Sequence, residues 1–160
     1  MEKIRKTMQR RGRFLFRSAA GQSLVETAVL GSLLVLVLLG VVEFGQVAYD
    51  SIEVSNAAMA GAHYGGQNGL TAADSSGISN AGTAAAPDLS ALVVTSSRTC
   101  VCSDGTASTC SIADCSTSFV EPIVTVHTTA TITPIIHLPG LTSFTLKGNA
   151  IQKCLGQQYF

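Results

Sequence analysis

Tryptophan is absent from these 160 residues, aromatics make up only 6%, and there are four prolines and three histidines. Charge is equally scarce. Asp, Glu, Lys and Arg together reach 12% of the chain, against about 25% in ordinary soluble domains. No glycine-rich loop ends in Gly-Lys-Ser/Thr, which excludes nucleotide hydrolysis of the Walker type. Neither a dinucleotide fingerprint nor a His-Glu-x-x-His pair is present, and no Cys-x-x-Cys knuckle offers the paired thiolates of a zinc site. His127 falls among threonines and His137 lies between Pro134 and Pro139, so these two and His63 read as solvent-facing or locally bonded. The residues therefore point to no catalytic group, no metal and no cofactor.

What charge there is lies unevenly. Residues 1–21 hold seven basic side chains (Lys3, Arg5, Lys6, Arg10, Arg11, Arg13, Arg17) against Glu2, a net +6, and the remainder carries −6. One basic arm on an acidic chain is an address or an anchor, not a nucleic-acid-binding face. Directly after it comes the source of the positive mean hydropathy of +0.37. From Thr27 to Val42 no residue is charged, and Leu33–Leu39 is unbroken aliphatic sequence. About 20 apolar residues cross a bilayer as a helix, so residues 24–42 are expected to span once. The positive-inside rule then keeps residues 1–21 cytoplasmic and exports the chain beyond the span.

Beyond Glu43 the helical period continues. Phe44, Val47, Ala48, Ile52, Ser55, Met59 and Ala62 recur at three- and four-residue spacing and are expected to form the apolar face, with Gln46, Asp50, Glu53 and Asn56 opposite. Gly65-Gly66 ends the helix, and Gly61-x-x-x-Gly65 reads as its fraying end. The expected domains are a leader over 1–21, a helix over 22–64 and an exported α+β domain over 65–160. In the last, 67–88 reads as a loop with one short helix, because Gly77 and Gly82 oppose a longer one. Leu89–Val101 reads as a strand; residues 124–133 and 144–151 alternate with period two, around a turn at Pro139-Gly140. The fold class expected is α+β: a long N-terminal transmembrane helix with a small antiparallel sheet on its distal half.

Cys100, Cys102, Cys110 and Cys115 crowd into 16 residues, and Cys154 stands alone near the end. On the exported side such a cluster braces a small domain through disulfides. Five is odd, so one thiol is left over. At least one bridge is expected within Cys100–Cys115, and Cys154, on the inward parity of its strand, is considered as a partner of Cys100 or Cys102.

The remaining oddity is an acid in the apolar helix. Glu26 stands near its start, where a carboxylate costs up to roughly 2.5–3.5 kcal/mol at mid-membrane and less near the interface. The helix dipole favours an acid there; a partner charge would favour it more.

Gly21-Gln22-Ser23-Leu24-Val25-Glu26, behind a basic arm and opening a Leu/Val-rich helix, resembles the type IV prepilin processing motif. The continuation through Glu43-Phe44-Gly45 resembles the TadE-like proteins, minor pilins or pseudopilins of the tight-adherence (Flp) pilus system. That resemblance implies cleavage between Gly21 and Gln22 by a prepilin peptidase, with Glu26 as the fifth residue of the mature chain and its assembly charge. It also implies as partners other pilin or pseudopilin subunits, an inner-membrane assembly platform and membrane lipid, in a bacterial inner membrane. Family members often carry a proline in the apolar helix, where Gly31-Ser32 stands here. Two other classes remain open: an uncleaved signal-anchor protein with a disulfide-braced binding domain, and an exported metal-binding module.

Overall fold

Valine and threonine alternate through the C-terminal half, and β-branched side chains favour extended backbone. The computed structural model describes residues 2–135 and 143–154, with side chains from Gly21 onward. The expected turn at Pro139-Gly140 and His137 lie outside the described residues. Among these, four strands form: β1 (Leu92–Cys102), β2 (Ala107–Ser108), β3 (Val120–Ile132) and β4 (Phe144–Lys153). They make one antiparallel sheet in the order β2-β1-β3-β4. The register joins Leu92 to Ala130 and Val126 to Ala150, so even-numbered residues of the three long strands share one face. That face carries Val124, Val126, Thr128 and Ala130, all buried. The odd face holds Thr95, Ser97, Thr125, His127 and Thr129.

The helices are α1 (Glu2–Gly65) and α2 (Ser75–Ala84). Residues 1–44 and 45–160 form separate compact units. In the second unit the α1 segment from Gly45 lies against the even face of the sheet. The α+β class and the antiparallel sheet match the expectation; the buried side of this helix does not. Asp50, Glu53, Val54, Ala57, Ala58 and Ala62 are buried, whereas Ile52 and Met59 stay more than half exposed. Close approach decides this. A Cβ at Gly61 would sit 3.1 Å from the Ile78 carbonyl oxygen and 3.3 Å from Val126, and one at Gly65 would sit 2.9 Å from Val124. Gly148 in β4 lies under the helix, where a Cβ would meet the backbone of Val54 at 2.6 Å. At Gly61 and Gly65 the helix backbone comes so near the sheet and α2 that a large side chain has no room between them. Gly61-x-x-x-Gly65 is thus a packing seam rather than a fraying end.

One polar group bridges the layers. The buried Thr128 hydroxyl donates to the Val54 carbonyl at 2.7 Å, which satisfies a donor that burial would otherwise strand. Asp74 caps α2 by accepting from the Gly77 N–H at 2.9 Å and also accepts from the Tyr64 hydroxyl at 3.0 Å, tying α2 to the end of α1. Ile78 then fills the core beside Val124, Val126 and Ala62.

Candidate functional site

The first unit presents its helix bare. From Leu24 to Val42 the large aliphatic side chains are exposed on every side of the helix, Leu24 at 73% and Leu39 at 46%. Its hydroxyls close on the helix itself. Thr27 donates to the Ser23 carbonyl at 2.9 Å and Ser32 to the Val29 carbonyl at 2.8 Å. An apolar surface all round, with polar groups internally satisfied, suits hydrocarbon and not water. Among the described residues this is the one helix long and apolar enough to cross a membrane. Gly21, Gln22 and Glu26 all stand exposed, with Glu26 one turn beyond Gln22. Beyond the helix's own backbone, nothing among the described residues lies within 4 Å of where a Cβ would stand at Gly21 or Gly45. Glu43 is half-buried and Phe44 is 79% exposed.

The cysteine cluster forms a separate lobe at the end of the sheet. Cys100 is bonded to Cys110 and Cys102 to Cys115. Between them β2 turns back on β1, and the Asp114 carboxylate accepts from the Thr109 hydroxyl and N–H, both at 2.7 Å, and from the Ser108 hydroxyl at 3.1 Å. These bonds, the Thr109 hydroxyl first, hold the Asp114 carboxyl below its ordinary pKa. Cys110 sits at φ 71°, a left-handed conformation uncommon for a residue with a side chain. Cys154 does not pair with Cys100 or Cys102. It faces inward as expected, but it is a free buried thiol near the Gly65 carbonyl, and burial pushes its pKa up. β3 lies between its strand and β1, which puts Cys100 and Cys102 two strand spacings away, about 10 Å and beyond the span of a disulfide.

Residues 21–63 match the family model of TadE-like proteins. Over this segment the chain is similar to TadE-like proteins. No curated protein and no solved structure matches it. TadE-like proteins belong to the tight-adherence pilus system, where components of this kind are structural. The matched segment begins at Gly21, takes in the whole apolar stretch and runs through the Gly61 seam into the second unit.

Within that segment the helix carries two acids that the hydropathy period placed on the solvent side. Asp50 and Glu53 are each only 8% exposed. Burial raises the Asp50 carboxyl above the usual carboxylate range. The Oε2 atom of Glu53 is buried with no hydrogen-bond partner among the described residues. Beside them the Tyr49 hydroxyl donates to Asp88 at 3.4 Å, and the Glu53 carboxylate, then that of Asp88, hold the phenol above its ordinary pKa. The row Asp50, Val54, Ala57, Ala58, Gly61, Gly65 could have shown the buried face, since it runs at three- and four-residue steps through the smallest residues. Elsewhere His63 and His127 are exposed, and no group of three metal-ligating side chains converges among the described residues.

Proposed function

We propose that this chain is a minor pilin or pseudopilin of a tight-adherence pilus, made as a membrane-anchored precursor and released for assembly by a prepilin peptidase. The observation that carries this reading is the apolar stretch of α1, bare from Leu24 to Val42, which lies wholly within the TadE-like match over residues 21–63. Residues 1–21 form the cytoplasmic leader, residues 24–42 span the inner membrane, and the disulfide-bearing domain is exported. Its partners are other pilus subunits, the peptidase and the assembly platform.

Hydrolysis of the Gly21–Gln22 peptide bond removes the +6 arm and leaves a new α-amino group on Gln22. That amine has a pKa of about 8 and is mostly protonated at neutral pH. Glu26, one turn on, supplies the matching negative charge within one chain or between staggered neighbours. Ammonium and carboxylate then neutralise each other where neither is well hydrated, whereas either alone costs several kcal/mol.

Replacing Glu26 separates processing from assembly. Glu26→Leu improves lipid compatibility, so export and cleavage are expected to proceed. The cleaved variant should accumulate in the inner membrane and be missing from the sheared pilus fraction and from detergent-extracted pilus complexes. Immunoblots of those fractions decide the matter. Wild-type incorporation of Glu26→Leu would leave Glu26 as a mere helix-start acid and refute the charge-pair mechanism.

A further inference from the structure

Beside Asp50 the second unit opens a cleft of about 220 Å³, walled by Gln46 and Asp50 of α1, by Asp88 and the three residues after it, and by the end of β3 from Ala130 to Thr133. Two carboxylates enter it and, among the described residues, no cationic side chain lines it. Asp50 is more than nine-tenths buried, and no hydrogen bond or ion pair reaches its carboxylate among the described residues. Glu53, three residues further on and outside the cleft lining, has one carboxylate oxygen, Oε2, buried with no partner among the described residues. Uncompensated acids are expensive to bury, so their retention side by side calls for a cation from outside the chain. Residues 45–160 cannot readily supply one: they hold seven acids against Arg98, Lys147 and Lys153, and Lys153 is already paired with Glu121.

The size and the donor set choose among cations. The cleft is smaller than the ~300–1,000 Å³ of small-molecule sites, which suits a single side chain. Beside the two carboxylates the lining offers only the neutral Gln46 amide, the hydroxyls of Ser90, Thr131 and Thr133 and main-chain groups. No three metal-ligating side chains converge among the described residues. A lysine or arginine needs just such a mixed set of acceptors, whereas a magnesium site wants a near-ideal octahedron. We propose that the Asp50–Asp88 cleft receives a lysine or arginine side chain from a neighbouring protein subunit, which neutralises Asp50 on docking. Only the naming of that neighbour as a pilus subunit rests on the proposed function. The pairing supplies specificity as well as attraction, because a neighbour without the basic residue would leave Asp50 buried and unpaired.

The test places photo-reactive benzoylphenylalanine at the exposed rim residue Ser90 of the full chain, in the native host, in wild-type and Asp50→Asn backgrounds. Irradiation should join the chain to a partner peptide that contains a lysine or arginine. Asp50→Asn should cut that product by about tenfold or more, and changing the partner's basic residue to Gln should do the same. Purified Asp50→Asn in micelles should melt no lower than wild type, which shows that the loss is not misfolding. An undiminished product in Asp50→Asn, a cross-linked peptide without a basic residue, or no cross-linked protein would each overturn the proposal. So would a rise in melting temperature on adding calcium chloride to the wild-type chain that Asp50→Asn abolishes. A basic partner outside the pilus apparatus would uphold the cleft and sink the pilus reading.

Discussion

Asp74 shows how one side chain can hold two elements. Its carboxylate accepts from the first turn of α2 and from the Tyr64 hydroxyl of α1. The Gly77 N–H, followed by Tyr64, lowers its pKa from 3.8. A group whose folded pKa is depressed adds stability above the unfolded value, and that stability is lost as pH falls through the folded one. The cap is therefore fully present above pH 3.8 and is lost below it. Hydrogen exchange at the Gly77 and Ile78 amides should quicken in Asp74→Ala but stay near wild type in Asp74→Asn, which keeps an accepting oxygen. Equal protection in all three proteins would show that α2 needs no cap.

At the scale of elements, the sheet was legible in the sequence and the helix face was not. Alternation of Val and Thr over residues 124–133 marks β3 because strand side chains alternate with period two whatever they pack against. The helix was judged by hydrophobic size, which put Ile52 and Met59 inward. Contact distance governs instead: glycine and alanine admit the sheet, and two acids enter the interface with them. β2 escaped notice because two residues are too few for a period, and the lobe's bridges, not its propensities, set it. Gly61→Leu, driven into Ile78 and Val126, should cost the chain about 1–3 kcal/mol or more in chemical denaturation. Gly45→Leu, with open space around it, should cost nothing. A tolerated Gly61→Leu would mean that the seam is looser than it looks.

The lobe answers to a different test. Its bridges close chain separations of 10 and 13 residues, and such loops are stabilised by roughly 2–4 kcal/mol each. Non-reducing peptide mapping should find Cys100–Cys110 and Cys102–Cys115 and an alkylatable Cys154 after denaturation. Cys100→Ser with Cys110→Ser should lower stability by that amount, while EDTA should leave it unchanged. Bound zinc with five free thiols would contradict the disulfide assignment.

For the whole molecule, the legible part was the N-terminal helix: its apolar run and the basic arm before it are local patterns that a single sequence displays. The acid cleft was hidden because it joins Gln46 and Asp50 to residues some 40 and 80 positions further on, and only the folded sheet brings them together. An uncleaved chain would remain a membrane anchor; a chain cut after Gly21 would lose its cytoplasmic charge and become free to leave the bilayer. The intact mass of the protein extracted from native membranes and from sheared pili separates these directly. Processing predicts a chain that begins at Gln22, lacking residues 1–21, in wild type, and a full-length chain confined to the membrane in Gly21→Leu. A full-length wild-type chain in both fractions would contradict it.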